Sequence, residues 1–160
     1  MRKYSLFLAL SLFIPAAAMS QRYGRPYTLA ERSELLLQVS VQKKTHYFGG
    51  FDLRKMPRSV VTETDPATHA RHVYEGVALD QLVSATAPGS QGGSVEVEFG
   101  SHQSLTISEN DLDPGTKPIV ADTLDGKPLT GYAPHSFVAK LRGKPPLTIN
   151  DVRRITVKAS

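Results

Sequence analysis

The apolar residues of this chain recur at every second position in short bursts, and that period restricts the fold more than any other feature. Leu35, Leu37, Val39 and Val41 alternate with mostly polar neighbours, Val95, Val97 and Phe99 with Glu96 and Glu98, and Leu105 and Ile107 with Ser104 and Thr106. Phe137, Ala139 and Leu141 repeat the pattern, as do Ile155 and Val157. A two-residue period sends alternate side chains to opposite faces, the mark of a half-buried β-strand. The first of these strands is expected over 35–42. The link Gly100 to Gln103 joins its flanking runs into a hairpin with one wet face. Two β-rich runs, Ser59 to Thr64 and Arg71 to Glu75, are separated by the turn-like Asp65-Pro66. A short apolar strand from Pro118 to Asp122 leads into the turn at Asp125-Gly126.

Helical signals are few. Thr28 and Glu31 have capping-box spacing, Asp52 to Met56 reads as one turn capped by Asp52 and stopped by Pro57, and Ser108 to Leu112 as another capped turn. Gly76 is read as the release into the clearest helix, where Leu79, Leu82 and Val83 share a face and Pro88-Gly89 ends it. Regular alternation of strand and helix is missing, which argues against a doubly wound parallel sheet. The expected fold is α+β and β-dominated, with mixed sheets and short helices.

The first twenty residues read as a separate object. Arg2 and Lys3 precede an apolar run from Leu6 to Ile14, broken by Pro15 before Ala16-Ala17-Ala18. This is the pattern of a secretory signal peptide over 1–20 with cleavage near residues 18–20, and the run is roughly half of what a membrane span needs. Residues 21–34 read as a flexible leader and 35–160 as the folded domain. The expected location is therefore exported, periplasmic or secreted, with no membrane attachment after cleavage. Loss of Arg2 and Lys3 lowers the basic count from 19 to 17 against 15 acids, so the net charge falls from +4 to +2. The remaining basic residues are scattered, which sets nucleic acid aside.

The chain has no cysteine. That excludes disulfides, thiolate nucleophiles, thiolate-bound zinc and iron–sulfur clusters. Among the histidines only His69 and His72 are close, and their odd spacing on extended chain sends them to opposite faces; metal binding there would need His102 or His135 as a third ligand. Glu96 and Glu98 share a strand face about 7 Å apart and fit a solvated surface better than an acid–base pair. Asp111 and Asp113 lack a calcium loop, no Gly-x-Ser-x-Gly elbow is present, and the glycine-rich loop at 89–93 has neither a dinucleotide fingerprint nor a phosphate-loop lysine.

Several segments together carry a resemblance. Tyr74-Glu75-Gly76-Val77-Ala78-Leu79-Asp80-Gln81-Leu82 is similar to the aromatic-x-Gly-Val-Pro-Leu-x-x-Leu signature of the molybdopterin-binding domain of sulfite oxidases and related oxidoreductases. In the same order, Asp52-Leu53 resembles that family's Asp/Glu-Leu turn, and Ile119 to Asp122 with Asp125-Gly126-Lys127-Pro128-Leu129 resembles its Asn/Asp-Gly-x-Pro-Leu hairpin. Pro134 with Phe137-Val138-Ala139, and Val152 to Val157, resemble its closing strands. The resemblance covers about 35–158 and implies the sulfite oxidase-like fold for the 35–160 domain. It also implies a molybdenum held by a pterin dithiolene and a cysteine after the strand matched by Ser59 to Thr64. Here that stretch is Glu63-Thr64-Asp65-Pro66-Ala67-Thr68, Ser136 stands in place of an expected arginine, and Asn150-Asp151 in place of Lys-Trp.

The expectation is accordingly a small exported member without molybdenum catalysis and without a cofactor. It would bind a small anionic ligand or an exported protein, with His69, Arg71, His72, His102 and His135 as candidate ligand-binding residues. The alternatives are a molybdopterin-dependent oxidoreductase with a cysteine-free metal site, and an accessory domain that recognises a protein through an exposed strand edge.

Overall fold

The alternating runs pair into two sheets in the computed structural model, which describes residues 36–159 apart from 66, 91, 92 and 132. The signal segment, the leader and the Thr28–Glu31 capping turn lie outside the described residues. In chain order the elements are β1 (Leu37–Val41), β2 (Lys44–Phe48), helix α1 (Gly50–Lys55), β3 (Arg58–Thr64), β4 (Arg71–Ala78), helix α2 (Leu79–Thr86), β5 (Gly93–Phe99) and β6 (Gln103–Ile107). A 3-10 turn at Glu109–Asp111 precedes β7 (Ile119–Leu124), β8 (Lys127–Pro128), β9 (Ser136–Ala139), β10 (Leu147–Ile149) and β11 (Val152–Ala159).

The first sheet has the order β2-β1-β11-β5-β6, with β1 and β11 parallel and the other pairs antiparallel. The second has the order β10-β9-β7-β4-β3, with β8 pairing β7, and is antiparallel throughout. The main core lies between their facing surfaces. Val39, Val97 and Ile155 of the first sheet meet Val77, Val120 and Phe137 of the second, and α2 adds Leu82 and Val83. Each such buried aliphatic or aromatic side chain contributes about 1.5–3 kcal/mol, and together they order the two sheets without a disulfide.

The strand over 35–42 and the hairpin form as the period predicts, and Glu96 and Glu98 lie on a solvated sheet face. There Lys158 Nζ lies 2.7 Å from Glu96 Oε2, and a terminal nitrogen of Arg154 lies 3.0 Å from Glu98 Oε2. Three local readings are corrected. Strand β2 was not expected; its Lys44, Thr45, His46 and Tyr47 are all exposed on the sheet edge, so no apolar alternation marks it. The turn at Asp52 starts earlier, at Gly50, and Asp52 sits in the third helical position with its Oδ2 accepting from the Gly49 amide at 3.0 Å. Gly76 does not release the chain into a helix, because β4 runs through it to Ala78.

Gly76 owes its place to space. It sits beside a register shift in the β4–β7 ladder, and a Cβ built on it would lie 1.9 Å from the Val120 carbonyl oxygen and 2.5 Å from the Ala121 Cα. Its φ is outside the left-handed region, so the backbone conformation itself is open to any residue.

Candidate functional site

The second sheet is buried on both faces near its centre, with Val61, Ile119, Ala121 and Val138 forming a smaller cluster on the face turned away from the main core. Strand pairing extends that outward face to polar residues. Val61 opposes Tyr74, Glu63 opposes His72, and Thr148 opposes Val138. A cleft of about 450 Å³ opens there, lined by Glu63, Asp65, His72, Tyr74, Thr148 and Asn150 among others.

Hydrogen bonds organise this cleft from its rim inwards. Thr148 Oγ1 donates to Glu63 Oε2 at 2.7 Å, while Glu63 Oε1 is buried with no partner among the described residues. Burial pushes the Tyr74 phenol above its usual pKa, and the neighbouring Glu63 charge adds to the rise. Asp65 folds the loop after β3 back on itself, accepting from the Thr68 hydroxyl at 2.7 Å and the Ala67 amide at 2.8 Å, and these bonds hold its carboxyl below the usual range. His72 Nδ1 lies 3.0 Å from Asp125 Oδ2, whose other oxygen accepts from the Val73 amide at 2.8 Å. Both contacts lower the Asp125 pKa.

A second cleft, of about 460 Å³, lies where α1 approaches the β4–β7 ladder. Its organising residue is Arg58 at the start of β3. The Arg58 Nε donates to Glu75 Oε1 at 3.0 Å, and its two terminal nitrogens grip both oxygens of Asp122, one of them at 3.0 Å. This two-pronged geometry is the strong form of the arginine–carboxylate pair. Burial by itself would raise the Asp122 pKa, but the bonds from Arg58 and Thr123 outweigh it and hold the carboxyl below its ordinary value. His135 lines the same cleft, and burial holds its imidazole below the usual pKa against the opposing field of Asp122. Only 4% of His135 is exposed.

The five residues expected to bind ligand fall into separate places. His69, at φ 56 in the β3–β4 turn, and Arg71 are exposed, and His72 beside them enters the outward cleft. His135 belongs to the second cleft, and His102 stands on the other sheet, paired with Glu98 at 3.2 Å. No group of three or more histidine, aspartate or glutamate side chains able to hold a metal ion forms among the described residues. Sequence reasoning missed Arg58, Glu75 and Asp122. Their signal was an acid in the buried phase of a strand, since Asp122 follows Val120 by two and Val120 is 1% exposed.

No protein-family model and no curated protein sequence matches the chain. Among solved structures it is similar to the sulfane dehydrogenase SoxCD from Paracoccus pantotrophus, with a TM-score of 0.61 and 17% identity. The alignment covers 84% of this chain and 40% of that one. The chain has a sulfite oxidase-like fold. The likeness carries the architecture, which among the described residues is strand-dominated with two sheets and two helices, in agreement with the α+β expectation.

The fold raises the question of whether the residues present fit a molybdopterin. The loop after β3, where the family resemblance puts the metal's thiolate, offers Thr64 and Asp65, and the adjoining cleft holds the half-paired carboxylate of Glu63. The pterin carries an anionic phosphate and needs cationic partners. Two carboxylates and no thiolate are a poor match for that group in both charge and ligand type, so the residues of this cleft do not fit it.

Proposed function

We propose that this chain is an exported sulfite oxidase-like domain that binds a ligand and does not work a molybdenum centre. The observation that supports it is the lining of the outward cleft, where Glu63 and Asp65 occupy the ground of the family's thiolate loop. His72 and His135, each in a cleft of the second sheet, are the members of the expected set on which ligand binding rests in this reading. Export rests on the pattern of Arg2-Lys3, Leu6 to Ile14 and Ala16 to Ala18.

The test is elemental analysis and pterin fluorescence on protein purified from a host that makes the cofactor. The expected result is molybdenum and pterin far below one per chain. Stoichiometric molybdenum with releasable pterin would overturn the reading in favour of a cysteine-free metal site.

A further inference from the structure

We propose that the cleft between α1 and the β4–β7 ladder is a binding site for a small organic anion, a carboxylate or sulfonate, with its charge taken by Arg54 and His135 and its apolar body on Pro128, Leu129 and Pro134. The proposal rests on the reading of this fold as a binding domain and names the chemistry of the ligand.

The argument starts from which groups in the cleft are already used. Glu75 and Asp122 are both bound by Arg58, and Asp122 also accepts from the Thr123 hydroxyl at 3.0 Å. Arg58 thus answers both carboxylates, through both oxygens of Asp122 and one oxygen of Glu75. Arg54, exposed on α1, lines the cleft and makes no ion pair with another described residue. A guanidinium in that position is a ready partner for a planar oxyanion.

His135 supplies the second group. It is almost entirely buried, yet no side chain among the described residues hydrogen-bonds its ring; burial holds its pKa down against the field of Asp122. A ring that lines the cleft without a side-chain partner is open to hydrogen bonding by a polar group that enters it. The charged groups on this cleft are Arg54 of α1, Arg58 of β3, Glu75 of β4 and Asp122 of β7, two of each sign, so the cleft is neutral while His135 is neutral; His135 also borders a smaller cleft that holds Tyr74 and Asp151. An entering anion is matched when His135 takes up a proton, and binding is thereby linked to pH. The volume of about 460 Å³ suits a ring-sized body, and the two prolines and Leu129 give it an apolar surface.

The experiment titrates the purified chain with benzoate, benzenesulfonate and the neutral benzamide, by calorimetry and by the His135 imidazole signals in NMR. The two anions keep their charge between pH 5.5 and 7.5. Both are expected to bind at least tenfold more tightly than benzamide, and at least fivefold more tightly at the lower pH. Arg54→Ala, a change on the exposed face of α1, is expected to weaken them about tenfold. His135→Gln is expected to remove the pH dependence; if it fails to fold, Arg54→Ala and the pH profile of the unaltered chain still decide. Equal affinity for benzamide, affinity independent of pH, or an Arg54→Ala variant that binds like the parent would each overturn the proposal. A chain carrying stoichiometric molybdenum that still bound benzoate would refute the proposed function and leave this site standing; a metal-free chain indifferent to all three probes would do the reverse.

Discussion

Replacing Gly76 with alanine tests the packing of β4 against β7 at its tightest point. The added Cβ would meet the Val120 carbonyl oxygen at 1.9 Å, where contacts under 3.0 Å are essentially never seen, so the backbone there must give way by at least about 1 Å. The obstacle is backbone, not the end of a flexible side chain, and the flanking pairs Glu75–Thr123 and Val77–Val120 are pulled apart with it. Weakening two or three ladder hydrogen bonds at about 1 kcal/mol each, together with about 1–3 kcal/mol of overpacking, gives a loss of roughly 3–6 kcal/mol. For a domain of this size that lowers Tm by roughly 10–25 °C. Urea and thermal unfolding followed by circular dichroism measure it, the chain having no tryptophan to report by fluorescence. Gly126→Ala is the control: φ there is +75 and nothing lies within 4 Å of the added carbon, so its cost is about 1–2 kcal/mol from conformation alone. A Gly76→Ala protein within 1 kcal/mol of the parent would refute the argument from space.

Arg58→Met is expected to cost about 1–3 kcal/mol near pH 7, discounted for partial exposure, because Glu75 and Asp122 lose their common partner. Asp122 has a lowered folded pKa, so its contribution is present above the unfolded carboxylate value and lost as pH falls through the folded one; the gap between parent and variant should therefore close on acidification, and a gap constant in pH would contradict the assignment. Phe137→Ala, at a site with 0% exposure between the sheets, is expected to cost about 3–5 kcal/mol by urea unfolding, and a loss under 1 kcal/mol would mean the core is not centred there.

The strands were legible because half-buried strands leave a two-residue period, as at Val95, Val97 and Phe99. Strand β2 was not, since an edge strand with Lys44 to Tyr47 in solvent has no buried face to leave a pattern. Gly76 was visible as a glycine, but local punctuation suggested a helix start, whereas its cause is the close approach of a strand about forty-five positions further on. The same distance in sequence hid the second cleft: Arg58 and Asp122 are 64 residues apart and meet only because β3 and β7 flank β4. His135 was picked out for its chemistry, but neither its burial nor the company of Arg54 could be read from neighbouring residues.

The order of the first sheet has a consequence for how the chain acquires its structure. Strand β11, the last of the described elements, lies in the middle, between β1 and β5. Without it the sheet is two hairpins with no hydrogen bonds between them, β1–β2 and β5–β6, each too small to persist in water. A chain made from its amino end cannot assemble this sheet piecemeal; the two hairpins must wait for β11 to bridge them. Folding is then governed by a contact between distant parts of the domain, Gln38 against Arg154, which makes it slow for its length and leaves the hairpin edges open until β11 has been made.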